Sequence, residues 1–88
     1  MAYDVRLSKD AEKQIAKMDV RKTKQITDWI VRNLQNCNNP RRLGKPLSGK
    51  WKGMWGYRVG DYRLVCDIQD GVCVILVVTA GHRREVYR

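Results

Sequence analysis

Two short polar pairs, Gly60-Asp61 and Asp70-Gly71, cut the second half of the chain into three β-rich segments, at about 54–59, 62–69 and 72–80. Such pairs between alternating apolar residues signal tight hairpins, because they supply the positive φ that two-residue turns need. The segments therefore read as an antiparallel meander. With two residues in each turn, Arg58 falls opposite Arg63, Val65 opposite Leu76 and Ile68 opposite Cys73. One side then carries Trp55, Tyr57, Val59, Tyr62, Leu64, Cys66, Ile68, Cys73, Ile75 and Val77, almost all apolar, and needs a cover. The other side carries Arg58, Arg63, Asp67, Val74, Leu76 and Val78, and strict alternation adds His82 to it.

The first half of the chain supplies the cover. Residues 3–7 (YDVRL) alternate apolar and polar side chains, as a half-buried strand does. Ser8 is placed to cap a helix with Asp10 and Glu12 near its positive end and Ala11, Ile15 and Met18 on one stripe. Asp19 starts a second helix whose apolar side holds Ile26, Trp29, Ile30 and Leu34. Residues 36–46 (NCNNPRRLGKP) are rich in Asn, Pro and Gly and read as an exposed, mobile loop. The expected fold is α+β in a single domain over residues 1–88. It comprises an N-terminal strand, a two-helix hairpin and a three-stranded antiparallel meander, with the helices packed on one face of a four-stranded sheet.

The 88 residues carry a formal charge of +9, and it is localised. Residues 41–63 contribute +6 and residues 82–88 contribute +2, so thirty residues hold +8 of the total. A field of this sign and density points to a polyanion as partner, nucleic acid before acidic protein. Arg58 facing Arg63 is the sharpest feature, since like charges directly across a ladder repel unless an anion is shared between them. Bidentate guanidinium groups suit phosphate for that purpose. Arg41, Arg42, Lys45, Lys50, Lys52 and Arg84 complete the candidate RNA-binding set. Trp51 and Tyr87 are the aromatics placed to stack on a base.

Other chemistries find less support. Three cysteines without a CxxC pair suit neither a disulfide framework nor a zinc site, and no carboxylate cluster or His pair offers a metal site. The longest apolar run, nine residues, is about half of what a membrane helix needs, and nothing at the N-terminus resembles a signal peptide. No cofactor, no metal and no membrane are expected, and the location is expected to be the cytoplasm. The available groups suit attack of an RNA 2′-hydroxyl on its own phosphodiester, which needs proton transfer and cationic donors for the developing charge. His82 is the one side chain that exchanges a proton near neutrality at its ordinary pKa.

Three stretches, YDVRLSKDAEKQI, GYRVGDYRLVCDI and AGHRREVYR, resemble the RelE branch of the RelE/ParE toxin superfamily, and the order of elements agrees over nearly the whole chain. The resemblance implies the toxin of a type II toxin–antitoxin pair. Such toxins cut messenger RNA, typically in the A site of the small ribosomal subunit, and are silenced by a RelB-type antitoxin. By position, Arg63 looks like the arginine that holds the scissile phosphate, with Arg58 as auxiliary. Arg83 resembles the arginine that stabilises the transition state, and Tyr87 the tyrosine that orients the substrate base. Some members use lysines on the strand before the DYRL motif. Here that strand reads Met54 to Arg58, with Lys50 and Lys52 just upstream. Other members use a histidine where His82 stands, so the resemblance gives the proton-transfer role to His82, with Lys52 in reserve. Two alternatives stand beside this reading: a ParE-like inhibitor of DNA gyrase, and an RNA-binding module without catalysis.

Overall fold

The structure is a computed structural model that describes residues 1–82. Strand β1 (Asp4–Leu7) leads into helices α1 (Lys9–Ala16) and α2 (Val20–Asn33), followed by β2 (Lys45–Pro46), β3 (Trp55–Val59), β4 (Tyr62–Gln69) and β5 (Val74–His82). The strands form one mixed sheet in the order β1-β5-β4-β3-β2, with β1 parallel to β5 and the other neighbours antiparallel. The class is the expected α+β. The sheet has five strands and not four, because Lys45 and Pro46 pair with Gly56 and Trp55 along the outer edge of β3.

Both helices start where the capping residues require. The Ser8 hydroxyl accepts from the Ala11 N–H at 3.0 Å and donates to the Val78 carbonyl at 2.7 Å, so one side chain caps α1 and ties it to β5. Asp19 accepts from the Arg21 N–H at 3.0 Å at the start of α2. Ala11, Ile15, Ile26, Ile30 and Leu34 pack on Tyr57, Val59, Leu64, Cys66, Ile75, Val77 and Ala80 in one continuous core. Truncating a fully buried member such as Leu64 or Ile75 to alanine costs about 2–5 kcal/mol. Burial in this core also pushes the Cys66 thiol up to about 12, which keeps it neutral.

The β3–β4 register is the expected one, with Val59 paired to Tyr62 and Arg58 to Arg63 across a tight turn at Gly60, φ 58°. The β4–β5 register is not. Asp70–Val72 forms a single 3₁₀ turn and Cys73 takes the left-handed conformation at φ 53°, so the connection has four residues and Gln69 pairs with Val74. Ile68 consequently faces Ile75 instead of Cys73. A second departure lies between Val65 and Cys66, where the partners jump from Thr79 to Val77 and leave Val78 as the extra residue of a bulge. Beyond the bulge the alternation on β5 is inverted: Ala80 is in the core and His82 pairs with Tyr62. The imidazole therefore lies on the helix-covered face and not, as strict alternation has it, beside Arg63.

Residues 36–46 are also bound more firmly than their composition suggests. Trp55 Nε1 donates to the Leu43 carbonyl at 2.7 Å, the Tyr57 hydroxyl donates to the Pro40 carbonyl, and Pro40 itself is buried. Arg41 makes a two-pronged contact with Asp70 at 2.9 and 3.0 Å, and the Tyr3 hydroxyl donates to the same carboxylate at 2.6 Å. The Arg41 guanidinium and the Tyr3 hydroxyl hold the Asp70 carboxyl down at about 2, below its ordinary value of 3.8. Since the folded state favours the ionised form, its contribution is complete above that ordinary value and is lost as pH falls through about 2. Asp70→Asn is accordingly expected to lower the urea midpoint at pH 7 and to lower it much less at pH 2, and an equal effect at both pH values would refute this origin.

Candidate nucleic-acid interface

Directly paired residues of an antiparallel ladder project on the same side. Arg58 and Arg63 are such a pair and lie on the face away from the helices. Arg58 is exposed; Arg63 is buried, with its guanidinium Nη1 donating to the Tyr62 carbonyl at 3.3 Å. Both line a groove of about 280 Å³ together with Gly44, Lys45, Gly56 and Tyr57. Lys45 reaches it because β2 pairs with Gly56, two residues before Arg58 on the same strand and hence on the same face. Gly56 lines the groove with its backbone alone.

A second, larger groove of about 680 Å³ runs along β5 and is lined by Gln14, Lys17, Lys50, Trp51, Tyr62 and His82, among others. The Tyr62 and His82 rings meet edge to face at 5.8 Å, and the Lys50 ammonium sits 5.4 Å from the Trp51 ring centre. The Gln14 amide oxygen accepts from the Ala80 N–H at 2.7 Å and from the Thr79 hydroxyl at 3.0 Å, satisfying β5 where β1 no longer pairs with it.

The candidate residues therefore divide. Arg58, Arg63 and Lys45 converge, whereas Lys50, Trp51 and His82 belong to the other groove. Arg42, in the 3₁₀ turn Pro40–Arg42, and Lys52, after the turn Gly49–Trp51, are exposed and line neither. Arg41 is engaged with Asp70, so its charge serves the fold. Arg83, Arg84 and Tyr87 lie outside the described residues. Among the described residues no group of three His, Cys, Asp or Glu side chains is arranged to hold a metal ion, and no helix is long and apolar enough to cross a membrane. The sequence reading gave no weight to Gly44 and Gly56. Their signal was the spacing of GKP to WGY, and only pairing across the sheet gives it meaning.

Solved structures of toxins from toxin–antitoxin pairs share this architecture. The toxin–antitoxin complex RelBE2 from Mycobacterium tuberculosis contains a chain similar at a TM-score of 0.83 and 27% identity, covering 97% of this chain and 95% of that one. A mutant of the Escherichia coli toxin RelE in the free state shares the fold at a TM-score of 0.76 and 24% identity, covering 98% and 88%. The profile of the ParE toxin of type II toxin–antitoxin systems matches residues 5–87, and the chain belongs to this family, within the RelE/ParE superfamily. Its relatives include Toxin RelG of M. tuberculosis (strain ATCC 25618 / H37Rv), 30% identical over 88 residues and covering 100% of this chain and 99% of the relative. Toxin RelE of the same strain is 30% identical over 86 residues, covering 98% and 87%.

Proposed function

We propose that this toxin is an endoribonuclease that cuts messenger RNA in the ribosomal A site without a metal: a 2′-hydroxyl gives up its proton and attacks the adjacent phosphodiester, the P–O5′ bond breaks, and the leaving 5′-oxygen takes up a proton, so that one fragment ends in a 2′,3′-cyclic phosphate and the other in a 5′-hydroxyl. The pairing of Arg58 with Arg63 in one groove carries this reading. Two arginines paired directly across a ladder and lining one groove suit a shared phosphate, and their charge grows in value as negative charge accumulates on the phosphorane oxygens. Arg63, buried and fixed, is the clamp; Arg58, exposed, is the auxiliary. From the family resemblance, Arg83 supplies transition-state charge and Tyr87 orients the base. Lys50, Lys52, Arg42 and Arg84 form a basic rim for the RNA and ribosome backbone, with Trp51 as a stacking surface beside Lys50.

His82 stands apart from this seat. Its position opposite Tyr62 puts the sheet between the imidazole and Arg63, which argues against direct proton transfer at the clamped phosphate. The natural partner is a RelB-type antitoxin, by analogy with the relative solved as a toxin–antitoxin complex, and the cytoplasm is the compartment where all these partners meet. A map of transcript 5′ ends after brief induction, with and without an inhibitor of translation initiation, tests the proposal. Cuts within reading frames that vanish when initiation stops are expected. Intact transcripts together with lost DNA supercoiling would instead support gyrase inhibition, the alternative that the superfamily resemblance leaves open. Intact transcripts without DNA damage would leave an RNA-binding module.

A further inference from the structure

We propose that Lys45 is the third cation of the arginine groove, taking the phosphate next to the one clamped by Arg58 and Arg63 in a single-stranded polynucleotide, and that Gly44 and Trp55 position it. The proposal rests on reading the arginine groove as a phosphate seat. A two-residue strand at a sheet edge is too short to be fixed by pairing alone, yet three other restraints converge on the segment before it. The Trp55 indole, packed against the core, donates its N–H to Leu43, and the buried Tyr57 hydroxyl donates to Pro40. Gly44 then turns the chain at φ 78°, and a Cβ there would meet Trp55 Nε1 at 2.7 Å, Tyr57 Cδ1 at 2.9 Å and, closer still, the Gly56 carbonyl oxygen. Glycine is thus required by both conformation and space.

The next residue along is Lys45, whose side chain this turn delivers to the open face. A strand spacing of ~4.8 Å and two residues of ~3.3 Å rise set its Cα about 8 Å from that of Arg58, near enough to share one polynucleotide chain and too far to duplicate the same contact. Among the described residues the groove lining holds three cationic side chains and no carboxylate. Lysine suits the outer position, because it acts on a phosphate as a point charge and tolerates a moving backbone, whereas the arginines fix geometry.

Binding of a fluorescent all-2′-deoxy hexanucleotide, which carries phosphates but no nucleophilic hydroxyl, tests this across a salt series. Each phosphate contact contributes about −0.7 to the slope of log K against log salt for a single strand. Lys45→Ala is expected to flatten the slope by about 0.7, and Lys9→Ala, on the exposed side of α1, to leave it unchanged. Trp55→Phe keeps an aromatic, though smaller, ring and loses the N–H. It should flatten the slope in part, and combined with Lys45→Ala it should add nothing to the single lysine variant. An unchanged slope in Lys45→Ala overturns the assignment, and additive effects of the two substitutions overturn the positioning role. If Arg63→Ala flattens the slope while Lys45→Ala does not, the phosphate seat stands and only Lys45 is excluded. If neither variant changes it, or the wild type does not bind, the seat itself is wrong and the inference falls with it.

Discussion

Arg63→Lys is expected to lower transcript cutting by about 10²- to 10³-fold, the usual cost of removing one preorganised donor to developing negative charge. The substitution keeps the charge and most of the aliphatic stem, so the urea midpoint should move little, whereas the planar fork that grips two phosphate oxygens is lost. Arg63 is buried in the sheet with Arg58 across the ladder, so the donor is held in place before the substrate arrives. His82→Ala provides the contrast. A general acid or base contributes about 10²- to 10⁴-fold, and on the helix-covered face the imidazole is expected to contribute less than about tenfold. Both variants are read in the same assay of cut ends after induction, with circular dichroism confirming the fold. Full activity in Arg63→Lys would move the phosphate elsewhere. A loss in His82→Ala as deep as that in Arg63→Lys would mean that the imidazole reaches the arginine face during the reaction.

The contrast between these two residues also shows which parts of the molecule local sequence encodes. Arg58 and Arg63 were legible as a pair because the Gly60-Asp61 turn lies between them, so the register is set within six residues. The caps at Ser8 and Asp19 and the apolar stripes of both helices are local in the same sense. His82 was misplaced because its face depends on a feature that leaves no mark in the alternation, the bulge at Val78, whose carbonyl is held by a hydroxyl seventy residues away in sequence. The four-residue connection ended by Cys73 in a left-handed conformation, where glycine would be expected, shifts the β4–β5 register by two residues and so keeps the face. Residues 36–46 misled for a related reason: much of what restrains them lies far along the chain, in the side chains of Trp55, Tyr57 and Asp70, the backbone of Tyr3 and the edge of β3. Composition reports the flexibility a segment has on its own, before such partners bind it. The convergence of Lys45 with the arginines belongs to the same class, since it exists only once β2 pairs with β3.

Tyr57→Ala should be the most damaging single substitution for stability, costing about 3–5 kcal/mol of a total that is about 5–15 kcal/mol for a domain of this kind. Tyr57 is among the largest fully buried side chains, its ring lies 5.6 Å from that of Trp29 at a tilted 55°, and its hydroxyl reaches the Pro40 carbonyl. Burial also raises the pKa of this hydroxyl, so it remains a protonated donor throughout the physiological range. One residue therefore joins α2, the sheet at β3 and the segment that carries Lys45. Tyr57→Phe separates these contributions. The ring packing survives while the carbonyl of buried Pro40 loses its donor, a change expected to cost about 1–3 kcal/mol. Urea titration should therefore rank the midpoints as wild type, then Tyr57→Phe, then Tyr57→Ala. If Tyr57→Phe matched the wild type, the hydroxyl would contribute nothing and the segment before β2 would have to be held by Trp55 alone. If it matched Tyr57→Ala, the hydrogen bond and not the ring would be what the core needs at this position.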